Sequence, residues 1–241
     1  MQYTYDNHKI NYEEYINNIN YDNLIILHGW GQDRNQFLFL KENFTNINIY
    51  LIDLPNFGLS DKLKKYVNLD FYVNSIIEFI NLKNLKNIIL LGHSFGGRII
   101  IKLLSINNLL NIKKIILIDS AGIKPKRNIK YYFKIYTYKI LKKFNKNINL
   151  GSKDYKNADT YLKGTMSNII NEDLKKYLSL IKINTLIIWG SDDDVTNINN
   201  AYIMNKKIKN SKLYIIPNGN HFSYKANMNY FIEIIRGFIN D

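Results

Sequence analysis

The amino-acid sequence predicts an α/β fold built on a mostly parallel, doubly wound sheet. Two observations predict it: short apolar runs rich in β-branched residues recur along the chain, and longer amphipathic stretches separate them. Such runs are typical of strands buried on both faces, and helices between them are the crossovers that make strands parallel. The 241 residues suffice to bury a single core without disulfides or metal ions.

Each strand is predicted from an apolar run between polar or glycine-containing turns. At the N-terminus, Tyr3–Tyr5 and Lys9–Tyr15 flank Asp6-Asn7 and predict an antiparallel hairpin at one edge of the sheet. The other strands are predicted at Leu24–His28, Ile47–Ile52, Ile88–Leu91, Ile115–Asp119, Leu186–Trp189 and Leu213–Ile216. The helices are predicted near Arg34–Asn43, Asp70–Leu82, Gly96–Ile106, Ile198–Lys207 and Asn227–Phe238.

A long interval, residues 120–184, follows the sixth predicted strand. It is much longer than a simple crossover needs, it is too long for a structureless loop, and it contains helical patterns. We therefore predict a single domain over residues 1–241, in which residues 120–184 form an inserted helical cap above the functional edge of the sheet.

Composition excludes several classes of protein. The chain has no cysteine, which excludes disulfides, thiolate metal sites and a cysteine nucleophile. Its four histidines are too few and too scattered for a metal site, and no glycine-rich phosphate loop is present, so we expect neither metal nor cofactor. No apolar run approaches the ~20 residues that span a bilayer, and the first residues do not resemble a signal peptide. We therefore expect a cytoplasmic protein.

The strongest chemical signal is Gly92-His93-Ser94-Phe95-Gly96, which joins the predicted strand Ile88–Leu91 to a helical pattern. A G-x-S-x-G segment in this context is typical of a nucleophile elbow, in which the serine has a strained backbone and its neighbours have no room for a β-carbon. The hydroxyl then stands at a helix N-terminus, whose dipole favours developing negative charge. We therefore predict that Ser94 is a catalytic nucleophile.

A serine nucleophile needs a base, and the chain offers four histidines. His93 adjoins Ser94, and adjacent side chains at a strand end diverge. His8 lies in the predicted hairpin, and His28 begins a different motif. His221 remains, in a polar loop just past the last predicted strand, at the edge where it could reach Ser94.

The base must be oriented by an acid, which fixes its tautomer. Asp192, Asp193 and Asp194 follow the predicted strand Leu186–Trp189, and each of them gives the chain order Ser…Asp…His. Asp119, at the end of the sixth predicted strand, is a fourth candidate.

An oxyanion hole is predicted from His28-Gly29-Trp30-Gly31, which also follows a strand directly. A turn of this kind can aim a backbone N–H at the oxyanion, and the second donor would be the N–H of the residue after the nucleophile. The predicted donors are therefore the main-chain N–H groups of Trp30 and Phe95. We further predict that the substrate pocket is lined by His28, Gly29, Tyr132 and Tyr136.

Together these motifs resemble the α/β-hydrolase superfamily, in its branch of small serine esterases and C–C bond hydrolases, over essentially the whole chain. In that family the acid usually sits three residues after the glycine of a W-G-x-x-D pattern, which implies Asp193. Asn56 stands where the family usually has glycine, and Thr196-Asn197 stands where it usually has proline. The resemblance rests on residues 28–31, 53–61, 92–97, 189–193 and 219–222.

The resemblance implies a serine hydrolase that cleaves a small-to-medium carboxylic ester through an acyl-enzyme, with Ser94, His221 and Asp193 as its triad. His28-Gly29-Trp30-Gly31 and the segment 53–61 also resemble the pimeloyl-carrier-protein methyl ester carboxylesterases. One alternative is a C–C bond hydrolase of the meta-cleavage type, acting on a dienoate or diketone with the same residues. The other is a non-catalytic binding protein that uses the cap.

Charge is concentrated in the predicted cap, where residues 121–146 include nine basic and no acidic side chains, interleaved with aromatic ones. At helical spacing the apolar residues fall on one stripe, which predicts a roof over the substrate pocket with lysines facing water. A second interpretation is an anionic partner, such as an acyl carrier protein or a coenzyme A ester. No nucleic-acid-binding motif accompanies the lysines, so we expect no nucleic-acid partner. The basic residues are Lys124, Lys126, Arg127, Lys130, Lys134, Lys139, Lys142, Lys143 and Lys146.

Overall fold

The computed structural model of the chain describes residues 1–106, 110–124 and 160–241. These residues form an eight-stranded sheet. Its strands are β1 (Gln2–Tyr5), β2 (His8–Tyr15), β3 (Asn23–Leu27), β4 (Asn48–Ile52), β5 (Ile88–His93), β6 (Ile112–Ile118), β7 (Asn184–Gly190) and β8 (Ser211–Ile216).

The strands lie in the order β1-β2-β4-β3-β5-β6-β7-β8. β1 and β2 pair antiparallel, as do β2 and β4, whereas every other pair is parallel. The predicted hairpin therefore lies at one edge of the sheet. Its turn residues Asp6 and Asn7 have φ of 47° and 60°, the left-handed pair that a tight two-residue hairpin requires. The α/β fold with a mostly parallel sheet is confirmed.

Helices cover both faces of the sheet because successive strand residues point to opposite sides. Ile25 and Leu27 share a buried apolar cluster with residues of α2 and α3, whereas Leu24 and Ile26 share a second cluster with α6. Burying one such side chain contributes about 1.5–3 kcal/mol, which explains why the central strands read as unbroken apolar runs. The helices are α1 (Leu40–Asn43), α2 (Leu69–Leu82), α3 (Phe95–Ile106), α4 (Thr160–Asn171), α5 (Asn199–Lys207) and α6 (Met228–Asn240).

The helix predicted over Arg34–Asn43 is divided into a 3₁₀ turn, Arg34–Phe37, and the short helix α1. The physical reason is local competition for hydrogen bonds. The Asp33 side chain accepts the amide of Asn35, and Asp53 accepts the amide of Arg34 at 2.8 Å, so these groups are fixed by side chains rather than by a continuous helix.

The interval predicted to form a cap contains α4, between β6 and β7. Residues 125–159 of that interval, with Tyr132, Tyr136 and the basic residues from Lys126 to Lys146, lie outside the described residues. The single-domain boundary and the extent of the cap therefore stay predictions. In the part of the chain that the structure describes, no helix has the length and apolarity needed to cross a bilayer.

Candidate active site

Ser94 occupies a sharp turn between β5 and α3. Its φ is 48°, a left-handed conformation that costs a non-glycine residue roughly 1–2 kcal/mol. The backbone is held there because the Ser94 amide donates to the carbonyl of Ile118 at 2.9 Å and the Ser94 carbonyl accepts the amide of Arg98. A β-carbon on Gly92 would lie 2.5 Å from the backbone of Gly96, so the turn closes only around glycine. The strain therefore presents the hydroxyl at the carboxyl edge of the sheet.

The loops after β7 and β8 bring Asp193 and His221 to the same edge. His221 Nε2 lies 3.0 Å from Ser94 Oγ, and His221 Nδ1 lies 3.0 Å from Asp193 Oδ2. A carboxylate only accepts hydrogen bonds, so the Nδ1 proton points to Asp193 and the Nε2 lone pair faces the serine hydroxyl. In this arrangement the imidazole can take the hydroxyl proton.

Of the three consecutive aspartates, Asp193 is buried whereas Asp192 and Asp194 are exposed. Asp193 Oδ1 accepts the amides of Val195 and Thr196, both at 2.8 Å, and Oδ2 accepts the Thr196 hydroxyl at 2.6 Å. Burial alone would raise the pKa of Asp193, but the hydrogen bonds from His221 and Thr196 outweigh it and hold the pKa below its usual value. The carboxylate is thus ionised where it faces the imidazole.

Asp119, the fourth candidate acid, directs both of its carboxylate oxygens to backbone amides. Its Oδ1 accepts the amide of Gly190 at 2.8 Å and its Oδ2 accepts the amide of Ser223 at 3.1 Å. Burial raises the pKa of Asp119 to about 7, and the charge of Asp193 acts in the same direction. Asp119 therefore ties the end of β7 to the loop that carries His221.

The peptide between Gly29 and Trp30 is held by its carbonyl group. The Gly29 carbonyl oxygen lies 2.7 Å from His28 Nδ1 and accepts the Gln32 amide at 3.1 Å. Because a trans peptide is planar, these bonds turn the Trp30 N–H to the opposite side. Among residues 1–106, 110–124 and 160–241, neither this N–H nor that of Phe95 donates to a protein acceptor.

His28 and Gly29 were predicted to line the substrate pocket. His28 is 1% exposed; its Nε2 accepts the Leu54 amide at 2.9 Å and its Nδ1 carries the proton given to Gly29. Burial lowers the pKa of His28 to about 4, which keeps the ring neutral. Both ring nitrogens are therefore occupied by backbone, and His28 fastens the turn rather than offering a polar atom to a pocket.

Two aromatic rings pack against the Trp30 side chain. The Trp30 ring centroid lies 5.2 Å from that of Phe57 and 5.0 Å from that of Phe95. Phe57 and Thr196 also belong to this site, although the sequence analysis assigned neither of them a role in it. An aspartate that bonds the backbone two and three residues later is a common local motif, and this could have indicated Thr196; no pattern distinguishes Phe57. In the described ranges, no group of three or more histidine, aspartate or glutamate side chains could hold a metal ion.

Comparison with known proteins identifies the family. A family model described as the alpha/beta hydrolase fold matches residues 22–147 and 138–227. A pimeloyl-[acyl-carrier protein] methyl ester esterase from Wigglesworthia glossinidia brevipalpis is 30% identical over 90% of this chain and 93% of that protein. The chain belongs to the alpha/beta hydrolase family. The predicted class, a hydrolase enzyme, is confirmed.

Solved structures agree on the fold. An esterase from Exiguobacterium antarcticum has a TM-score of 0.80 at 22% identity, covering 98% of this chain and 97% of its own. An alpha/beta hydrolase from a deep-sea metagenome library has a TM-score of 0.79 at 20% identity, covering 100% and 98%. At these identities the likeness establishes the architecture, and the choice of substrate must be argued from the site.

Proposed function

We propose that the protein is a serine carboxylesterase that cleaves a small-to-medium carboxylic ester through an acyl-enzyme on Ser94. One observation carries the proposal: the hydrogen-bond series from Ser94 Oγ to His221 Nε2, and from His221 Nδ1 to Asp193. Nucleophilic acyl transfer requires a hydroxyl that is hydrogen-bonded to a base, which is in turn oriented by an acid. The names of several relatives, which include esterases, support an ester as the substrate.

In the first half-reaction, Ser94 Oγ attacks the ester carbonyl carbon while His221 Nε2 takes the hydroxyl proton. The N–H groups of Trp30 and Phe95 donate to the oxyanion that forms, and a donor of this kind is worth about 10²–10³ in rate. Collapse of the intermediate breaks the carbon–oxygen bond to the alcohol, which leaves with the proton from His221. Asp193 stabilises the imidazolium in between.

In the second half-reaction, water attacks the acyl group on Ser94 and gives one proton to His221. Collapse of this second intermediate breaks the bond to Ser94 Oγ, which recovers its proton, and a carboxylic acid is released. The reaction therefore consumes one water per ester and needs no redox partner.

The test is covalent labelling of the intact protein with a fluorophosphonate probe, read by mass spectrometry. We expect one label per chain on Ser94, and its loss in Ser94→Ala and in His221→Ala. Ser105→Ala is the matched control because, among the described residues, the Ser105 side chain bonds only to the carbonyl of Lys102, and it should label normally. Unchanged hydrolysis of p-nitrophenyl acetate by Ser94→Ala would overturn the proposal, and faster turnover of a dienoate ring-fission product than of esters would replace it with C–C bond cleavage.

We further propose that the ester is presented on an anionic carrier that binds the basic residues of the predicted cap. Two things support this: the Wigglesworthia relative is named for an ester on an acyl carrier protein, and residues 121–146 carry nine basic and no acidic side chains. The methyl ester should then be hydrolysed faster when the pimeloyl group is attached to an acyl carrier protein than in free dimethyl pimelate. This difference in rate should fall as the salt concentration rises. Equal rates on both substrates would contradict the carrier proposal and would leave the esterase proposal intact.

A further inference from the structure

We infer that Gln36 and His93 form a bridge that positions the oxyanion turn relative to His221. The inference rests on the proposed function, since it assigns Gln36 and His93 a positioning role in that reaction. Gln36 lies in the 3₁₀ turn after the oxyanion segment, and His93 directly precedes Ser94. Neither side chain takes part in the proton transfers described above.

Three hydrogen bonds form the bridge. The Gly29 amide donates to Gln36 Oε1 at 2.9 Å, Gln36 Nε2 lies 2.9 Å from His93 Nδ1, and His93 Nε2 lies 2.7 Å from the carbonyl oxygen of His221. An amide nitrogen can only donate and a carbonyl can only accept. The direction of every bond is therefore fixed: His93 accepts at Nδ1 and carries its proton at Nε2.

Packing leaves the bridge little freedom. His93 is 1% exposed, and a β-carbon on Gly29 would lie 2.5 Å from His93 Nδ1, so the oxyanion turn rests directly against the ring. Burial, reinforced by the nearby His221, lowers the pKa of His93 to about 3. The ring thus stays neutral, and the order of donors and acceptors is the same at every pH at which an esterase would be assayed.

The two ends of the bridge belong to the two parts of the site that must act on one carbonyl group. At one end, Gly29 precedes the proposed donor Trp30; at the other, the bridge holds the backbone of the proposed base. A displacement of about 1 Å in a reacting geometry can cost roughly 10²-fold in rate. A side chain that fixes this distance therefore affects kcat more than it affects substrate binding.

The first test replaces the bridging amide with an apolar side chain of similar size. We expect Gln36→Leu to lower kcat for p-nitrophenyl acetate by roughly 10- to 100-fold with KM changed less than threefold. Gln2→Leu is the matched control, because Gln2 is an exposed amide on the edge strand β1 whose side chain bonds to no described residue, and it should keep the parent kcat. A kcat of Gln36→Leu within twofold of the control would overturn the inference.

The second test detects the bridge by NMR spectroscopy and does not depend on catalytic activity. In the parent protein, ¹⁵N spectra of histidine-labelled protein should show His93 as the Nε2–H tautomer with no titration between pH 5 and 8. In Gln36→Glu, one oxygen can still accept the Gly29 amide, but the other has no proton to give to Nδ1. Because His93 would then face a carboxylate, its pKa should rise and the ring should titrate in that range.

The groups that could also shift this titration are His221, Tyr224, His28 and Asp193, all of which surround the ring. They are present in both proteins, so the difference between the spectra isolates position 36. A His93 signal that is the same in both proteins would overturn the bridge even if Ser94 proves to be the nucleophile. Conversely, a changed His93 signal beside full activity of Ser94→Ala would reject the proposed function alone.

Discussion

Arg98 Nη1 lies 2.7 Å from the carbonyl oxygen of Ile169. The same nitrogen also donates to the carbonyl of Glu172 at 2.8 Å, so one buried guanidinium satisfies two carbonyls where α4 ends. Burial lowers the pKa of Arg98 to about 10, which the carboxylates of Glu172 and Asp173 partly oppose, and the group remains charged at neutral pH. Helix α4 of the predicted cap is therefore fastened to the helix that begins beside Ser94.

We expect Arg98→Met to destabilise the fold by about 2–4 kcal/mol, because it leaves buried carbonyls without their charged donor. Hydrogen exchange in residues 160–171 should accelerate more than exchange in β5. Arg236→Met is the matched control: Arg236 is exposed, donates to the carbonyl of Asn43 at 3.2 Å and lies over the Phe44 ring at 5.8 Å, so its loss should change stability by less than about 0.5 kcal/mol. Urea unfolding measures the stability of both variants. Equal losses of stability would contradict the role of Arg98 in holding α4.

Thr196 contributes a short hydrogen bond to the acid of the proposed triad. Because this bond helps to lower the pKa of Asp193, the ionised carboxylate stabilises the fold at neutral pH, and that contribution is lost as the pH falls below about 4. We expect Thr196→Val to cost about 1 kcal/mol at pH 7 and to move acid unfolding to higher pH. Thr4→Val, on the exposed side of β1, is the control for the chemical change. An unchanged acid midpoint in Thr196→Val would show that the hydroxyl does not act on Asp193.

Asp119 gives the opposite dependence on pH. Its pKa is raised to about 7 in the folded protein, so between about pH 4 and 7 the native state holds a proton that the unfolded chain releases. The free energy of unfolding should therefore fall as the pH rises through this range, by about 1 kcal/mol per pH unit from this group. We expect Asp119→Asn to flatten that slope, whereas Asp192→Asn, at an exposed position, should keep it. Denaturant titrations at four pH values would measure this slope in both variants. Equal slopes would contradict the statement that Asp119 is protonated in the folded protein.

Asn56 occupies a left-handed position, with φ of 78°, and its side chain accepts the Leu63 amide at 2.9 Å. Both Asn56→Gly and Asn56→Ala lose that bond, but only alanine adds a β-carbon to the left-handed backbone. We expect the alanine variant to be less stable than the glycine variant by about 1 kcal/mol, measured as a difference in the free energy of unfolding. Equal stabilities would mean that the backbone relaxes at this turn.

The strands and the proposed catalytic residues could be predicted because each leaves a local pattern in the chain. Unbroken apolar runs predicted the buried strands, and the motifs at their ends pointed to Ser94 and His221. The acid was harder to predict: three aspartates share one turn, and Asp193 differs from its neighbours in its burial and its contact with His221, neither of which the sequence shows. The resemblance to a family implied Asp193, but the residues alone left the choice open.

Interactions between distant segments could not be predicted in this way. The bridge joins Gln36 to His93 across 57 positions of sequence, and no spacing rule relates an amide in a turn to a ring at a strand end. The division of Arg34–Asn43 into two short helices depends on Asp53, on a different strand end. Both features become visible only when the sheet has brought its strand ends together.

The placement of β8 has a consequence for synthesis of the chain. Ser94 and His221 are 127 positions apart, and the loop with His221 follows β8, which pairs with β7 at the outer edge of the sheet. Contacts of this sequence separation form late, since the closure entropy of the intervening chain must be overcome first. During synthesis we therefore expect Ser94 to be exposed before the proposed base, His221, has reached it, and the proposed catalytic group to assemble late in folding.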